Sequence, residues 1–345
     1  MKSCNCYCSF IPPHIMEELL KKKDLGFLKE SIDPDFMFRE RRRNRTAILA
    51  EEGISPITGN AGRKIYDCQH TTNLDTNVVR SEGQPPVQDA IANTGYDNGG
   101  KVRDFYKHQY NYHSFDNRGS DFLFNIHYSN RYNNAFWDGT EMIFGDGDGV
   151  VFTNFVNALD VTGHELTHGV VQYTARLIYN GQPGALNEHF ADVFGVTIRQ
   201  FYENQSHTPK TANWLVGDSI MGPTLQGQAI RSMKAPGTAY HNRWMGKDPQ
   251  PEDMAHYYNG AADNHGVHIN SGIPNRIFYL VSVGFNDTLK AALLWFETLK
   301  ILRPNDSFLN FKARMHTQST QLAAAHKIPA NANAVVTNAF HSVGL

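Results

Sequence analysis

The chain has few cysteines, no long apolar run and no excess of either charge. Its 345 residues carry 32 Lys and Arg against 34 Asp and Glu, a formal net charge of −2. A protein that binds nucleic acid through phosphate contacts usually has a basic excess, which is missing here. No apolar run approaches the roughly 18 residues that span a bilayer. These absences favour a soluble globular protein, and 345 residues, 41% of them hydrophobic, allow about two domains.

A disulfide framework is not expected, because three of the four cysteines crowd the first eight residues. Cys4, Cys6 and Cys8 can be free thiols in a tail, a small metal clip, or the source of one thiolate that ligates a metal in a latent form. The same N-terminus lacks a continuous apolar stretch after its lysine, since prolines and then charges interrupt it. No conventional secretory signal is therefore predicted.

The stretch HELTH at 164–168 carries the strongest chemical signal. It places His164 and His168 four residues apart, so on a helix both imidazoles share one face and can reach one metal ion. Glu165 then lies where it can take a proton from a water on that metal. Taken alone, the motif is also compatible with an amphipathic helix that carries two structural histidines.

A third metal ligand is expected in GALNEHFAD at 184–192. Position 174, where a metzincin would have its third histidine, is Thr174. Glu188 and Asp192 are four residues apart on a second predicted helix, and the segment 179–184 leaves room for the chain to return. Glu188 completes three protein ligands with an open fourth position, as catalytic zinc requires. Asp192 can accept the far N–H of a zinc histidine.

Four motifs together resemble the thermolysin family of zinc metallopeptidases in order and spacing. They are YNNAFWDGTEMIFGDGDG at 132–149, HELTHGVVQYTARLIY, GALNEHFADVFG and DNHGVHINSG at 263–272. The strong part of the resemblance runs from about residue 125 to the end. It implies a zinc-dependent neutral endopeptidase that hydrolyses peptide bonds by attack of a zinc-activated water, with Glu165 as the base.

The resemblance also assigns residues that stabilise the oxyanion. Tyr179 matches the tyrosine that follows the second zinc histidine, and His268 matches the histidine of the last motif. Asp263 matches the acid that holds this histidine protonated. His265 departs from the family, whose best-known members have glycine there, and is expected at the rim of the cleft.

Substrate contacts are likewise implied by the resemblance. Asn134 and Ala135 fall in the edge strand that pairs with the substrate backbone, and Arg231 matches the arginine that holds a substrate carbonyl. The implied preference is a bulky apolar residue just after the scissile bond. The residues that map onto its pocket are Phe152, Phe155, Val161, Val216 and Ile230.

The family's double calcium site is doubtful in this chain. Asp160 and Asp218 match acidic ligands, but Arg199 replaces a bridging glutamate and Leu215 replaces another acid. Asn213 stands in place of an aspartate. A cation in place of a bridging carboxylate should abolish the double site, and Arg199 is expected to pair with Asp160. A single calcium ion elsewhere stays open, and the run DGDG at 146–149 is expected to be a structural turn.

The first fifty residues are predicted to be a propeptide. A helix is expected from Ile15 to Glu30, followed by the basic run at 39–45, an exposed linker that favours cleavage. Pro12 and Pro13 resemble the motif in the short propeptides of protealysin-like members, which implies a zymogen whose own propeptide occludes the cleft. Autocatalytic maturation is expected between about residues 44 and 51.

The predicted fold is α+β, a thermolysin-like arrangement of two lobes with the active-site helix between them. Residues 1–46 form the propeptide, 47–157 a β-rich lobe and 158–345 an α-helical lobe. Short apolar stretches between turn signals indicate strands before residue 157. The segment 87–115 is expected to form two helices broken at Asn98-Gly99-Gly100.

Two other functions stay open: a zinc-containing latent binding protein, and a silent toxin or adhesion module that uses the cleft as a peptide groove. Glu165, Tyr179 and His268 argue against both, because a protein that had lost its catalytic activity would not need to keep its catalytic base.

The expected partners are peptide and protein substrates, without nucleic acid or membrane, and the family implies a monomer. The protein is expected either to be secreted without a conventional signal or to be retained in the cytoplasm as a zymogen.

Overall fold

A computed structural model describes residues 9–22 and 61–345 of the chain. The predicted propeptide boundary at 46/47, the cleavage region 44–51 and the cysteines Cys4, Cys6 and Cys8 lie outside these residues. The N-terminal segment forms one helix, α1 (Pro13–Leu20). The predicted helix from Ile15 to Glu30 is wrong at Lys21 and Lys22, which lie beyond the end of α1, and its remainder, 23–30, lies outside the described residues.

The N-terminal lobe is built on a mixed five-stranded sheet. Its strands are β1 (Arg63–Asp67), β2 (Val78–Ser81), β3 (Phe122–Ile126), β4 (Ala135–Trp137) and β5 (Met142–Phe144), in the order β2-β1-β3-β5-β4. The three central strands β1, β3 and β5 are parallel to one another, and β2 and β4 pair antiparallel at the edges. The outer edge of β4 pairs with no other strand of this sheet, and such an edge can accept an additional strand.

Helix α2 (Ala90–Tyr110) packs on this sheet without the predicted break. The prediction of two helices was wrong, because the glycines at its centre serve close packing instead of ending the helix. A Cβ on Gly99 would lie 2.5 Å from the ring of Phe124, and one on Gly100 would lie 2.3 Å from the guanidinium of Arg63. The Asn98 side chain donates to Val156 O at 2.9 Å, which ties the same turn to the next segment.

Helices dominate after residue 158, as the sequence predicts. Two long ones, α3 (Leu159–Tyr173) and α4 (Gly181–Tyr202), are almost entirely buried and pack against each other. A Cβ on Gly163 would already lie 3.0 Å from the Gly195 backbone, so small residues at this crossing let the two helices approach closely. This approach brings the side chains of the two central motifs together.

The remaining helices surround α4 and complete the C-terminal lobe. They are α5 (Ala262–Asn270), α6 (Gly272–Phe285), α7 (Thr288–Leu299), α8 (Phe308–Ala324) and α9 (Ala332–Ser342). Short strand pairs join β6 (Leu215–Val216) to β7 (Arg231–Ser232), and β8 (His241–Asn242) to β9 (Gly246–Lys247). Within residues 9–22 and 61–345, every helix is too short or too polar to cross a membrane.

Candidate active site and metal centre

Helix α3 presents His164 and His168 on one face, and α4 presents Glu188 opposite them. The two Nε2 atoms are 3.0 Å apart, and each lies 3.5 Å from a carboxylate oxygen of Glu188. A tetrahedral ion with bonds of about 2.0–2.1 Å holds its ligand atoms roughly 3.3 Å apart. The two imidazoles and the Glu188 carboxylate are therefore spaced as ligands of one zinc-sized ion.

The far nitrogen of each imidazole is held by a side chain from α4. His164 Nδ1 lies 2.9 Å from Asp192, the contact that the sequence predicts, and His168 Nδ1 lies 2.8 Å from Asn187 Oδ1. These contacts fix both rings with Nε2 directed at Glu188. Sequence reasoning missed Asn187, although it directly precedes Glu188, because the sequence alone does not show which histidine faces it.

The burial of Glu188 tests whether a cation fits this centre. Its Oε2 atom is buried and has no hydrogen-bond partner among the described residues. Burying a carboxylate without compensation is strongly unfavourable, and a cation between the three ligands would supply that compensation. Two neutral imidazoles with one carboxylate are a donor set that suits zinc, so these residues fit the ion. Glu165, next to His164, is fully buried on the same helix.

Tyr179 and His268 lie beside Glu188. The Tyr179 hydroxyl donates to a Glu188 oxygen and lies 3.2 Å from His268 Nε2, which is also 3.2 Å from Ser9 O. Asp263 lies 2.6 Å from His268 Nδ1 and accepts from its backbone N–H at 2.8 Å. Burial opposes a charge on His268, but Asp263 and Glu188 outweigh it and raise its pKa to about 9. His268 is thus a charged donor at neutral pH in this arrangement.

A tight left-handed turn gives Asp263 both of these contacts with His268. The backbone φ angles are positive at four successive positions, 56° at Asp263, 48° at Asn264, 62° at His265 and 78° at Gly266. Helix α5 is regular only after this turn. His265 is exposed within the turn, so its side chain is accessible to solvent.

Arg231 is anchored by the same carboxylate that orients His164. Its guanidinium donates to both oxygens of Asp192 at 2.8 Å, and its Nη1 donates to Phe10 O at 3.2 Å. Burial opposes ionisation of Asp192, but Arg231 and His164 outweigh it and hold the pKa of Asp192 well below its usual range. One buried carboxylate therefore joins His164 to Arg231.

The N-terminal segment runs along the outer edge of β4. Phe10 N donates to Ala135 O at 2.9 Å, and Ile11 N donates to Asn134 Oδ1 at 2.9 Å. Ser9 forms an antiparallel bridge to the same strand. The two residues that the sequence assigns to substrate backbone are thus paired with the chain's own segment. Sequence reasoning placed this segment in the cleft but did not single out these positions.

The Phe10 side chain fills a buried site next to the metal ligands. Its ring meets the His164 imidazole edge-on with 5.2 Å between centroids, and the Arg231 guanidinium lies 5.0 Å from its centre. A Cβ on Gly217 would lie 2.8 Å from the ring. Glycine at this position, with φ of 71°, therefore leaves the space that the ring occupies.

All five residues that the sequence assigns to an apolar pocket are buried. Ile230 N donates to Val216 O at 2.9 Å, which brings these two together directly beside Gly217 and the Phe10 ring. Pro12 and Pro13, the other predicted residues of the segment, precede and begin α1, with Pro12 extended at φ −61° and ψ 149°. The pocket residues are Phe152, Phe155, Val161, Val216 and Ile230.

The region of the expected double calcium site is occupied by an arginine. Arg199 Nη1 lies 2.8 Å from Asp160 and 2.7 Å from Asp218, and Nη2 donates to Leu215 O at 2.5 Å. The expected ion pair with Asp160 therefore forms. Asn213, where the family has an aspartate, donates its side-chain amide to Asp218 at 2.8 Å. One guanidinium thus contacts both acidic residues of the region where the double site is expected.

Two packed helices that offer two histidines and a glutamate to one point, with a buried glutamate beside the first histidine, define a metallopeptidase of the His-Glu-x-x-His class. The chain belongs to the thermolysin family. The family model described as "Thermolysin metallopeptidase, catalytic domain" matches residues 44–172, and that described as "Thermolysin metallopeptidase, alpha-helical domain" matches residues 175–345. The family uses zinc, and the group formed by His164, His168 and Glu188 could bind it.

Several known proteins are similar along most of their length. An extracellular metalloprotease of Pectobacterium carotovorum subsp. carotovorum is 40% identical over 305 residues, which cover 87% of each chain. Protease PrtS of Photorhabdus sp. (strain Az29) is 38% identical over 318 residues, 89% of this chain and 85% of that one. The solved precursor of protealysin, a metalloproteinase from Serratia proteamaculans, is 37% identical with a TM-score of 0.84, over 97% of this chain and 99% of that one. The predicted family and α+β fold are confirmed.

Proposed function

We propose that the protein is a zinc-dependent neutral endopeptidase that is made as a self-processing zymogen. The observation that carries this proposal is the convergence of His164 Nε2, His168 Nε2 and Glu188 within 3.5 Å, next to Glu165. In this proposal these three residues are the zinc ligands, and Asp192 orients His164. Peptides and proteins are the substrates.

The described side chains account for each step of peptide hydrolysis. Zinc, when bound, supplies a Lewis acid that polarises the attacking water and the carbonyl. Glu165 accepts the proton of the water and delivers it to the leaving amine. Tyr179 and His268 donate hydrogen bonds to the oxyanion. Asp263 keeps His268 protonated, so the charge on that donor is present before the oxyanion forms.

The contacts of Phe10 support a preference for a bulky apolar residue just after the scissile bond. Phe10 N–H is bound by Ala135 O, its carbonyl by Arg231, and its ring lies beside His164. The Ser9 carbonyl meanwhile lies at His268. A substrate in the same register would place its scissile carbonyl at the oxyanion donors and its next side chain in the apolar pocket.

The same contacts support an inhibitory role for the N-terminal segment. A substrate cannot pair with the edge of β4 while residues 9–11 occupy it. Helix α1 follows these residues and buries Ile15 and Leu19 completely, which strengthens the docking through apolar contact. We therefore assign residues 1–46 to a propeptide that inhibits in cis until the chain is cut between about residues 44 and 51. The lobes then comprise 47–157 and 158–345.

Localisation and assembly complete the proposal. The relative from Pectobacterium carotovorum is named an extracellular protease, which supports secretion of this chain as well, by a route that the sequence does not identify. We propose a monomer, because the cleft and all the side chains assigned above belong to one chain. For calcium, we propose that Arg199 replaces the double site.

Intact mass measured over time tests this function. We would compare wild type, Glu165→Ala and, as a matched control, Glu203→Ala, an exposed glutamate on the same lobe, each with and without a zinc chelator. Loss of about the first fifty residues only in untreated wild type and Glu203→Ala would support self-processing by a zinc peptidase. Equal processing of Glu165→Ala would show that another protease matures the chain. An unprocessed wild type that leaves casein intact would contradict the proposal and favour a latent or peptide-binding role.

A further inference from the structure

A second group of metal-ligating side chains lies at one end of the five-stranded sheet. Strands β1, β3 and β5 are parallel neighbours, so their carboxyl ends lie at the same edge. His70 follows β1 by three residues, His127 follows β3 directly and Asp146 follows β5 by two. The topology therefore gathers two imidazoles and one carboxylate from three separate connections.

The three side chains are within reach of one ion. Asp146 lies 2.8 Å from His127 Nδ1 and 3.4 Å from His70 Nδ1, and all three ligand atoms lie within 4.8 Å of one another. The ligand atoms around a tetrahedral zinc ion are roughly 3.3 Å apart. His127 Nδ1 and the Asp146 carboxylate oxygen would therefore need to move apart only slightly to bind one ion. None of the three is shared with the cleft.

The backbone holds both histidines in place. Their φ angles are 57° at His70 and 51° at His127, in the left-handed region that non-glycine residues occupy rarely and at some cost. His70 N also donates to His127 O at 2.9 Å. The proximity of the two rings is therefore built into the backbone and does not depend on side-chain rotamers alone.

Two further side chains orient the group as metal ligands are oriented. Asp89 lies 3.0 Å from His127 Nε2, and the Asn154 amide donates to Asp146 Oδ1 at 2.5 Å. A carboxylate on the far nitrogen of an imidazole fixes the tautomer that directs the other nitrogen at a metal. In the cleft, Asp192 orients His164 in the same way, but there the carboxylate contacts Nδ1 and leaves Nε2 to face the metal position.

We propose that His70, His127 and Asp146 form a second zinc site, which joins the connection after β1 to the ends of β3 and β5. The His70 side chain is 59% exposed, so an ion can enter from solution and water can complete its coordination. Without an ion, His127 forms an ion-pair contact with both Asp89 and Asp146. The alternative is that this ion pair is the whole role of the group. The proposal does not rest on peptidase activity.

Zinc stoichiometry tests the proposal. The full chain carrying Glu165→Gln keeps both sets of ligands, and its activity is not needed for the readout. We would strip this parent of metal, dialyse it against zinc and measure bound zinc by mass spectrometry. We expect two equivalents in the parent, one after adding His70→Ala, and two after adding His256→Ala. His256 is a matched control, since it is exposed and contacts a single carboxylate, Asp253.

One equivalent in the parent would overturn the proposal, and so would two equivalents that persist in His70→Ala, because the extra zinc would then be adventitious. Asp89→Asn gives a second test that does not remove a ligand. Asparagine caps helices about as well as aspartate, so α2 keeps its cap, while the affinity for the second zinc should fall by about 10- to 100-fold. An unchanged affinity would contradict the assigned geometry. Circular dichroism of each variant checks that the fold is retained.

Discussion

Replacing Phe10 by alanine should release the N-terminal segment from the cleft. Phe10 is fully buried, and its ring contacts the His164 imidazole and the Arg231 guanidinium. Truncation of a buried phenylalanine costs about 3–5 kcal/mol in protein cores. Unlike a closed protein core, this site can fill with water once the segment has left. We therefore use the lower end of that range. About 3 kcal/mol corresponds to roughly 100-fold weaker docking, at about 1.4 kcal/mol per tenfold change.

Inhibition in trans measures this effect directly. Synthetic peptides that span residues 9–22 would be titrated against the processed enzyme with a fluorogenic substrate. We expect the Phe10→Ala peptide to have a Ki roughly 100-fold above that of the wild-type peptide. The Leu20→Ala peptide is the control, because Leu20 is 38% exposed and should leave Ki nearly unchanged. Equal inhibition by the wild-type and Phe10→Ala peptides would refute the reasoning, since the pocket would then not hold the segment.

Three other results are expected. Glu165→Gln, matured by an added protease because it cannot process itself, should have a kcat at least about 100-fold below that of the processed wild type, since a positioned base contributes about 10²–10⁴. Zinc content measured by mass spectrometry should stay the same. Arg199→Ala should lower the free energy of unfolding by about 3–5 kcal/mol in urea denaturation, because buried Asp160 loses its ion pair. A decrease of less than about 1 kcal/mol would contradict this. Acid should loosen the docked segment: burial lowers the pKa of His14 to about 4 from 6.5, so docking is strongest above pH 6.5 and weakens as the pH falls toward 4. The 9–22 peptide should inhibit the processed enzyme with a Ki up to about 30-fold higher at pH 5 than at pH 7.5, and a His14→Gln peptide should lose most of this dependence.

Local sequence patterns determined the parts of the site that lie on single helices. The spacing of four residues places His164 and His168 on one helical face, and the same spacing places Glu188 and Asp192 on the next. Because the period of a helix is fixed, these relations follow without knowledge of the fold. The family motifs likewise indicated Tyr179 and the α+β architecture.

Patterns of turn-forming residues were less informative where packing decided the outcome. The sequence Asn98-Gly99-Gly100 predicts a break in α2, yet the helix continues through it, because side chains of the sheet lie too close to Gly99 and Gly100 for any side chain there. Local propensity favours the break by only about 1 kcal/mol per glycine. The stabilisation from packing α2 against β3 outweighs this local cost. A local sequence pattern carries no information about that packing.

The sequence by itself determined the family, the helical pairs of ligands and the replacement of a calcium-site acid by Arg199. Only the tertiary structure decided which side chains orient those ligands, such as Asn187, and which residue of the N-terminal segment enters the cleft. It also brought His70, His127 and Asp146 together from positions as much as 76 residues apart (70 to 146). The physical reason is that periodicity fixes neighbours along one helix or strand, whereas contacts between elements depend on how the whole chain packs.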